Sequence, residues 1–312
     1  MMNRTGFLAT APLLAATAGA ASAQTAGIPI RIGATPNDGF AEAYYGHDAG
    51  IFAKAGFADE LTSFSNGAQV ATGVASGAID VGVSSVITLA NATLRGLPFV
   101  YIAAGGLWAT NAPTLALCVA ADSPIRTAKD LEGKTVSVSG IKDITHLATV
   151  AYLANNGADI TKINIIEMPF SEAGSALKRG AIAAGIISEP SFTVAMDAGQ
   201  IRVMTHPFDV IGKNYMVGGW FTTLDWYRKN TATAKRFAAA MYDTARWANA
   251  NHDKSAVILQ KYTKIETAVL SKMVRATYAE SLTPAMIDGT LQLALREKFI
   301  ERPVPANDMI AH

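Results

Sequence analysis

Short β-like runs separated by helix-length segments recur through the first two thirds of this chain. Ile28-Pro29-Ile30-Arg31-Ile32-Gly33 reads as a strand, and helical spacing follows from near Phe40 to about Lys54, with Gly56 as a stop. Leu61 to Ser65 reads as a second strand. A helix then runs through Gln69, Val70, Val74 and Ala75 and ends at Gly77. Ile79-Asp80-Val81-Gly82-Val83 reads as a third strand, and Ser84-Ser85 stands where the next helix needs a cap. Alternation of this length predicts an α/β fold of βαβ units with mostly parallel sheets flanked by helices. From Thr231 to about Arg296 the chain keeps helical periodicity, has few glycines and shows no strand pattern.

A weak internal repeat points to two similar halves. Phe64-Ser65 leads through a helical segment to Gly77-Ala78-Ile79-Asp80-Val81-Gly82-Val83-Ser84-Ser85. Phe170-Ser171 leads in the same way to Gly180-Ala181-Ile182-Ala183-Ala184-Gly185-Ile186-Ile187-Ser188, followed by Glu189. Such a spacing is too long for a solenoid and fits one unit per lobe.

Composition excludes several classes. With 312 residues, 50% of them hydrophobic and 16% charged, the chain can fill two ordinary cores and is too apolar for disorder. Lys and Arg number 26 against 25 Asp and Glu, which leaves no basic footprint for nucleic acid or an anionic membrane. The single cysteine, Cys118, excludes an internal disulfide and any Cys-rich metal site. The start, Met1-Met2-Asn3-Arg4, then an uncharged Leu- and Ala-rich run from Gly6 to Ala20, then Ala21-Ser22-Ala23, has the form of a secretory signal cleaved after Ala23. No later stretch is long and charge-free enough to span a bilayer. The expectation is a soluble, exported, periplasmic protein.

In open α/β sheets the ligand crevice lies beyond the carboxyl ends of the strands, where helix N-termini point unpaired N–H groups. Five such junctions can be read: Thr35 to Phe40, Ser65-Asn66-Gly67, Ser84-Ser85, Ser139 to Asp143, and Ser188-Glu189-Pro190. Each joins small residues to hydroxyl or amide side chains. For one junction alone, helix capping is the simpler account; five on one edge, drawn from both halves, make a polar cleft. Two further segments, Tyr101 to Leu117 and Tyr215 to Leu224, read as crossings between the halves. Each sets a glycine pair beside a tryptophan, Trp108 or Trp220, that could close a cleft wall.

Catalytic signatures are missing from the pattern. The five histidines are scattered without metal-ligand spacing, and neither a nucleophile elbow nor a phosphate-binding glycine loop occurs. Cys118 sits in the apolar run Leu115-Ala116-Leu117-Cys118-Val119, which favours a buried inert thiol. Nothing in the pattern demands an enzyme, a metal or a cofactor, and no catalytic residue is expected. The rival reading is a periplasmic enzyme on the same scaffold.

Several segments carry a resemblance. Tyr45-Gly46-His47-Asp48-Ala49-Gly50-Ile51-Phe52-Ala53-Lys54-Ala55-Gly56-Phe57, Ala75 to Gly82, Ser123 to Val136 with its Asp130-Leu131-Glu132-Gly133-Lys134, and Gly180 to Pro190 are the stretches concerned. They resemble substrate-binding proteins of ABC importers, in the group handling taurine, alkanesulfonates, nitrate and the thiamine pyrimidine precursor. Ala183 departs from the pattern, standing where that group usually has Asp. The resemblance implies the two-lobe type II periplasmic-binding-protein fold joined by two hinge strands. Lobe I would be residues 24–112 with 220–312, and lobe II residues 113–219.

It further implies capture of a small organic ligand by lobe closure, delivery to a permease in the inner membrane, and a monomer. The implied ligand shell is Asn37, Asp38, Phe40, Tyr44, Ser65, Asn66, Ser84, Ser85, Ser139, Gly140, Ile141, Ser188 and Glu189, with Trp108 and Trp220 as cleft walls. Relatives that make the thiamine pyrimidine need a His- and Cys-containing site, and this sequence has no Cys cluster. Converging helix N-termini favour an anionic group, such as a sulfonate or carboxylate, and the aromatics suit a flat or apolar body. Asp38 and Glu189 argue instead for a cation or an N–H-bearing ring.

Overall fold

The computed structural model describes residues 27–312, so the signal sequence expected at residues 1–23 lies outside the described residues. Thirteen strands can be followed among them. They are β1 (Ile28–Ala34), β2 (Phe57–Ser63), β3 (Val81–Ser85), β4 (Phe99–Ala104), β5 (Gly106–Ala109), β6 (Leu115–Ala120) and β7 (Thr135–Val138). The rest are β8 (Asn164–Glu167), β9 (Ala184–Ser188), β10 (Ile201–Thr205), β11 (Asn214–Met216), β12 (Gly218–Thr223) and β13 (Thr277–Tyr278).

Two five-stranded sheets result, in the orders β2-β1-β3-β12-β4 and β10-β6-β9-β7-β8. Each is mixed. In the first, β1 pairs parallel with β2 and β3, while β12 runs antiparallel between β3 and β4. In the second, β7 pairs parallel with β8 and β9, while β6 runs antiparallel to β9 and β10. The parallel pairs are those joined by crossover helices. The antiparallel strands are those that bring the chain into or out of a sheet. Helices cover the faces, which is why strands such as β3, β4 and β9 are buried at every position.

A third, three-stranded sheet, in the order β11-β5-β13, lies where the chain passes between the other two. Both crossings expected from the sequence contribute to it. They pair antiparallel with each other, Tyr215 opposite Trp108 and Met216 opposite Leu107. The two-residue β13, in a region whose sequence reads as wholly helical, completes it through Tyr278 opposite Gly106. Gly106 admits no side chain, because a Cβ there would press into the carbonyl oxygen of Gly39.

The helical spacing expected across residues 40–54 is interrupted. The chain forms the helices Glu42–Asp48 and Ile51–Lys54, and Gly50 between them adopts a left-handed φ of 70°. That conformation costs glycine little and ends the first helix. The second strand also begins earlier than expected, at Phe57, where Phe57 packs edge-on against Phe237.

Apolar packing is continuous across the middle. One cluster joins Val70, Val74 and Leu89 beside the first sheet to Leu117, Val136 and Leu147 of the second, with Ile287 and Leu291 from the helix Ala285–Arg296. A separate cluster under the first sheet is built on Phe52, Trp220, Phe237 and Met241. Cys118 is buried in β6, and burial pushes its thiol up to about 12. No helix among the described residues is long and apolar enough to cross a membrane.

Candidate functional site

Between the two five-stranded sheets lies a cavity of about 810 Å3, its mouth included. Strand ends and helix starts build it. On the side of the first sheet, Asn66 caps the helix Gly67–Ala75, its side chain accepting from the N–H groups of Ala68 and Gln69. Ser85, the last residue of β3, caps the helix Val86–Leu94 and accepts from Thr88 N–H at 3.3 Å. On the opposite side Asp143 caps the helix Ile144–Asn155, accepting from His146 N–H at 2.9 Å. Three helix N-termini therefore face one space, each with its positive dipole end inward.

Nine of the fifteen residues singled out from the sequence line this cavity: Asn37, Phe40, Ser65, Asn66, Ser85, Ser139, Gly140, Ile141 and Ser188. Ser85 and Ser188 are the last residues of the two repeat copies, and they come from opposite sheets.

Six do not line it, each for an identifiable reason. Asp38 turns away from the cavity into a buried ion pair with Arg275 at 3.0 Å, and also accepts from Tyr45 Oη at 2.9 Å and Ala276 N–H at 2.6 Å. Tyr44 lies behind the wall, its ring tilted by 35° against Tyr262 with ring centres 4.2 Å apart and its hydroxyl 2.9 Å from Ser63 Oγ. Ser84 precedes Ser85 on a strand, so it points the other way and donates to the carbonyl of Gly67 at 3.0 Å. Glu189 is buried and accepts from Thr193 N–H and Oγ1, at 3.1 and 2.9 Å. Burial pushes its carboxyl up to about 7.

Both tryptophans belong to cores instead of cleft walls. Trp108 Nε1 donates to Asp209 at 3.0 Å, and Trp220 Nε1 donates to the fully buried Glu42 at 2.9 Å. A buried indole needs such an acceptor.

Other wall residues came without a strong sequence signal. Thr88 lies one helical turn past Ser85, and Thr145 two residues past the Asp143 cap, both readable once the caps are assigned. Phe170 opens the second repeat copy. Thr114, Leu115 and Phe208 lie in runs that read only as strand or loop. The wall combines hydroxyls with the apolar surfaces of Phe40, Phe170, Phe208, Leu107 and Ile141, and its one titratable side chain is Asp143. Burial raises the Asp143 carboxyl above the usual range, against the hydrogen bonds from Ser139 and Thr145. Among the described residues, no group of three or more His, Cys, Asp or Glu is placed to hold a metal.

Polar contacts cross the cavity between the two sides. Glu167 Oε1 accepts from the Asn66 side-chain amide at 2.9 Å, and Asp38 N–H donates to the Glu189 carbonyl at 3.2 Å. An outer chamber, floored by Ser63, Gln69 and Tyr262, shares Thr35, Asn37, Ser65 and Phe170 with the inner one. Outside both chambers, Lys272 Nζ lies 3.6 Å from Asp197.

The sequence profile described as NMT1/THI5 like matches residues 37–255, most of the chain. The chain belongs to the NMT1/THI5-like family. Its match spans all three helix N-termini that face the cavity. A putative aliphatic sulfonates-binding protein of Escherichia coli (strain K12) is 24% identical over 224 residues, covering 72% of this chain and 66% of that protein, just under two thirds of its length.

Solved structures share the fold. The periplasmic aliphatic sulphonate binding protein SsuA from Escherichia coli superposes with a TM-score of 0.72 at 20% identity, covering 91% of this chain and 97% of that one. The alkanesulfonate-binding protein SsuA from Xanthomonas axonopodis pv. citri, bound to MOPS, gives 0.75 at 16% identity over 91% and 98%. The periplasmic nitrate-binding protein NrtA from Synechocystis PCC 6803 gives 0.76 at 13% identity over 90% and 84%. This NMT1/THI5-like chain therefore has the periplasmic-binding-protein architecture expected from its segments.

Proposed function

We propose that this protein is the solute-binding component of an ABC importer and captures a small organic solute in the cavity between its two sheets. The observation that carries the reading is the convergence of three helix N-termini, capped by Asn66, Ser85 and Asp143, on one enclosed space drawn from both sheets. Family membership and the relatives that bind sulfonates support it, and they favour a sulfonate or a related organic acid as the solute. The hydroxyl-rich, part-aromatic wall suits a compact polar head carried on an apolar body.

In this reading residues 24–112 with 220–312 form one lobe and residues 113–219 the other. The paired strands β5 and β11 are the hinge, and solute bridging both lobes favours the closed form. The closed protein is what a permease in the inner membrane recognises; the protein acts as a periplasmic monomer. Capture without turnover is supported by the wall chemistry, since its titratable residue, Asp143, is engaged as a helix cap.

A solute that binds only the folded state stabilises it by RT ln(1 + [L]/Kd), about 2.7 kcal/mol at a hundredfold excess over Kd. A thermal-shift screen of small sulfonates, carboxylates and pyrimidines should therefore give one class a clear upward shift in Tm. Isothermal calorimetry on that class should give one site per chain. A flat response across the panel, from protein freed of co-purified solute by unfolding and refolding, defeats the proposal. Consumption of the ligand on incubation would point to an enzyme instead.

A further inference from the structure

We propose that Asp143 is a positioning residue that makes its end of the cavity a hydrogen-bond acceptor, so that the solute presents an N–H donor there. The proposal rests on the reading of the cavity as the solute site and specifies which chemistry that site selects.

Ser139, Asp143 and Thr145 all line the cavity. Ser139 Oγ donates to Asp143 Oδ2 at 2.6 Å, and Thr145 Oγ1 donates to Asp143 Oδ1 at 2.7 Å. The two hydroxyls also lie 3.0 Å from each other, and Thr145 Oγ1 accepts from Ser139 N–H at 3.0 Å. Ser139 Oγ, Thr145 Oγ1 and His146 N–H all donate to this carboxyl and favour its ionised form against the burial that raises it, and in that form both hydroxyl protons are committed to it. A hydroxyl has one proton and two lone pairs, so Ser139 then turns only lone pairs to the cavity. Asp143 Oδ2, holding a single hydrogen bond among those described, keeps acceptor capacity of its own.

The opposite side differs. Ser85 Oγ and Thr88 Oγ1 are 2.9 Å apart and share one hydrogen bond, which leaves one of their two protons for the cavity. No lysine, arginine or histidine stands on the wall to offset Asp143. An oxyanion placed at Ser139 would meet lone pairs and a carboxylate, whereas an amine or amide N–H placed there completes the network.

Capping alone does not require this arrangement, because asparagine caps a helix as well as aspartate does. Asp143→Asn keeps an acceptor for His146 N–H but puts an NH2 group against Ser139 Oγ, freeing the serine proton for the cavity. The test is calorimetric affinity for matched ligands that differ by one group: para-aminobenzenesulfonate against para-toluenesulfonate, and aminomethanesulfonate against ethanesulfonate. The wild-type protein should favour the amino member of whichever pair fits by about tenfold or more. Asp143→Asn should bring that ratio close to unity. Ser139→Ala leaves the cap intact and takes from Asp143 Oδ2 its one described hydrogen bond, so the bared oxygen should raise the ratio; this variant carries the test should the first fail to fold by circular dichroism.

Equal wild-type affinity for both members, or a ratio unchanged in the variants, overturns the proposal while leaving the cavity as the solute site. Failure of all four ligands to bind, alongside a flat response in the wider screen above, removes the solute site itself and this proposal with it. Binding of a different class in that screen moves the same amino-for-methyl comparison to that class, where a preference lost in Asp143→Asn or raised in Ser139→Ala supports the proposal and equal affinities overturn it.

Discussion

Glu167 reaches across the cleft to Asn66. Its Oε1 accepts the asparagine side-chain amide at 2.9 Å, and its Oε2 accepts the Ile141 N–H at 3.3 Å. One exposed carboxylate at the end of β8 thus ties a helix cap on the first sheet to a cavity loop on the second.

Removing that tie should open the protein without unfolding it. Glu167→Ala is expected to raise the radius of gyration of the ligand-free protein in X-ray solution scattering. Its unfolding free energy should change by no more than about 1 kcal/mol, because the pair is solvent-exposed. Lys272→Ala, which removes the exposed pair with Asp197 at 3.6 Å, should do less. An unchanged radius for Glu167→Ala would show that the tie does not hold the two sides together.

Arg275 and Asp38 should dominate stability in a way the exposed pairs do not. Their side chains are 7% and 0% exposed, and the guanidinium also donates to Ser255 Oγ at 2.8 Å and the His252 carbonyl at 2.7 Å. Arg275→Met leaves a buried carboxylate without its counter-charge and should cost about 3–5 kcal/mol in urea unfolding. The double variant Asp38→Asn with Arg275→Met should recover part of that loss. A cost below about 1 kcal/mol for Arg275→Met would contradict the assignment.

Glu42 should make stability fall with alkalinity. Burial pushes its carboxyl up to about 8, against the hydrogen bond from Trp220, so the native state favours the protonated form. Stability from this group is complete below its ordinary value of 4.5 and is lost as pH rises through about 8. Glu42→Gln keeps an acceptor for Trp220 Nε1 and removes the titration. In thermal melts between about pH 5 and pH 9, the wild-type Tm should drop more steeply with rising pH than the variant's. Glu189, pushed up to about 7, adds a fall of the same sign in both proteins, so the difference between them isolates Glu42.

His146 should act at the other end of the scale. Burial, with the nearby Lys142 charge, lowers its imidazole to about 4, and its Nδ1 accepts from Lys142 N–H at 3.0 Å, which needs that nitrogen unprotonated. Its contribution is present above the ordinary value of 6.5 and is lost as pH falls through about 4. His146→Gln should flatten the acid limb of the Tm profile. A wild-type acid limb identical to the variant's would refute the assignment.

Particular residues show what the sequence could and could not reveal. Caps and strand ends were readable because their signals are local: Asn66 and Ser85 each stand one residue before a helix, and each faces the cavity. The repeat likewise located Ser85 and Ser188. Orientation was not readable. Asp38 sits in a well-placed loop, but its partner Arg275 is brought to it only by the fold, and nothing near Asp38 announces that pairing. Trp108 and Trp220 suited a cleft wall by composition, yet each indole N–H is taken by an acid distant in sequence, the exposed Asp209 or the buried Glu42. The acidic group that does face the cavity, Asp143, reads locally as an ordinary cap.

Cys118, sealed inside β6 with its thiol pushed up to about 12, has a practical corollary. Maleimide dyes attack thiolates, and this sulfur offers neither access nor charge at neutral pH. The native background is therefore already silent. Two surface cysteines, one introduced beside each five-stranded sheet, would be the sole attachment points for a donor and an acceptor fluorophore, and the distance between the two sheets could be followed one molecule at a time in an otherwise unaltered chain.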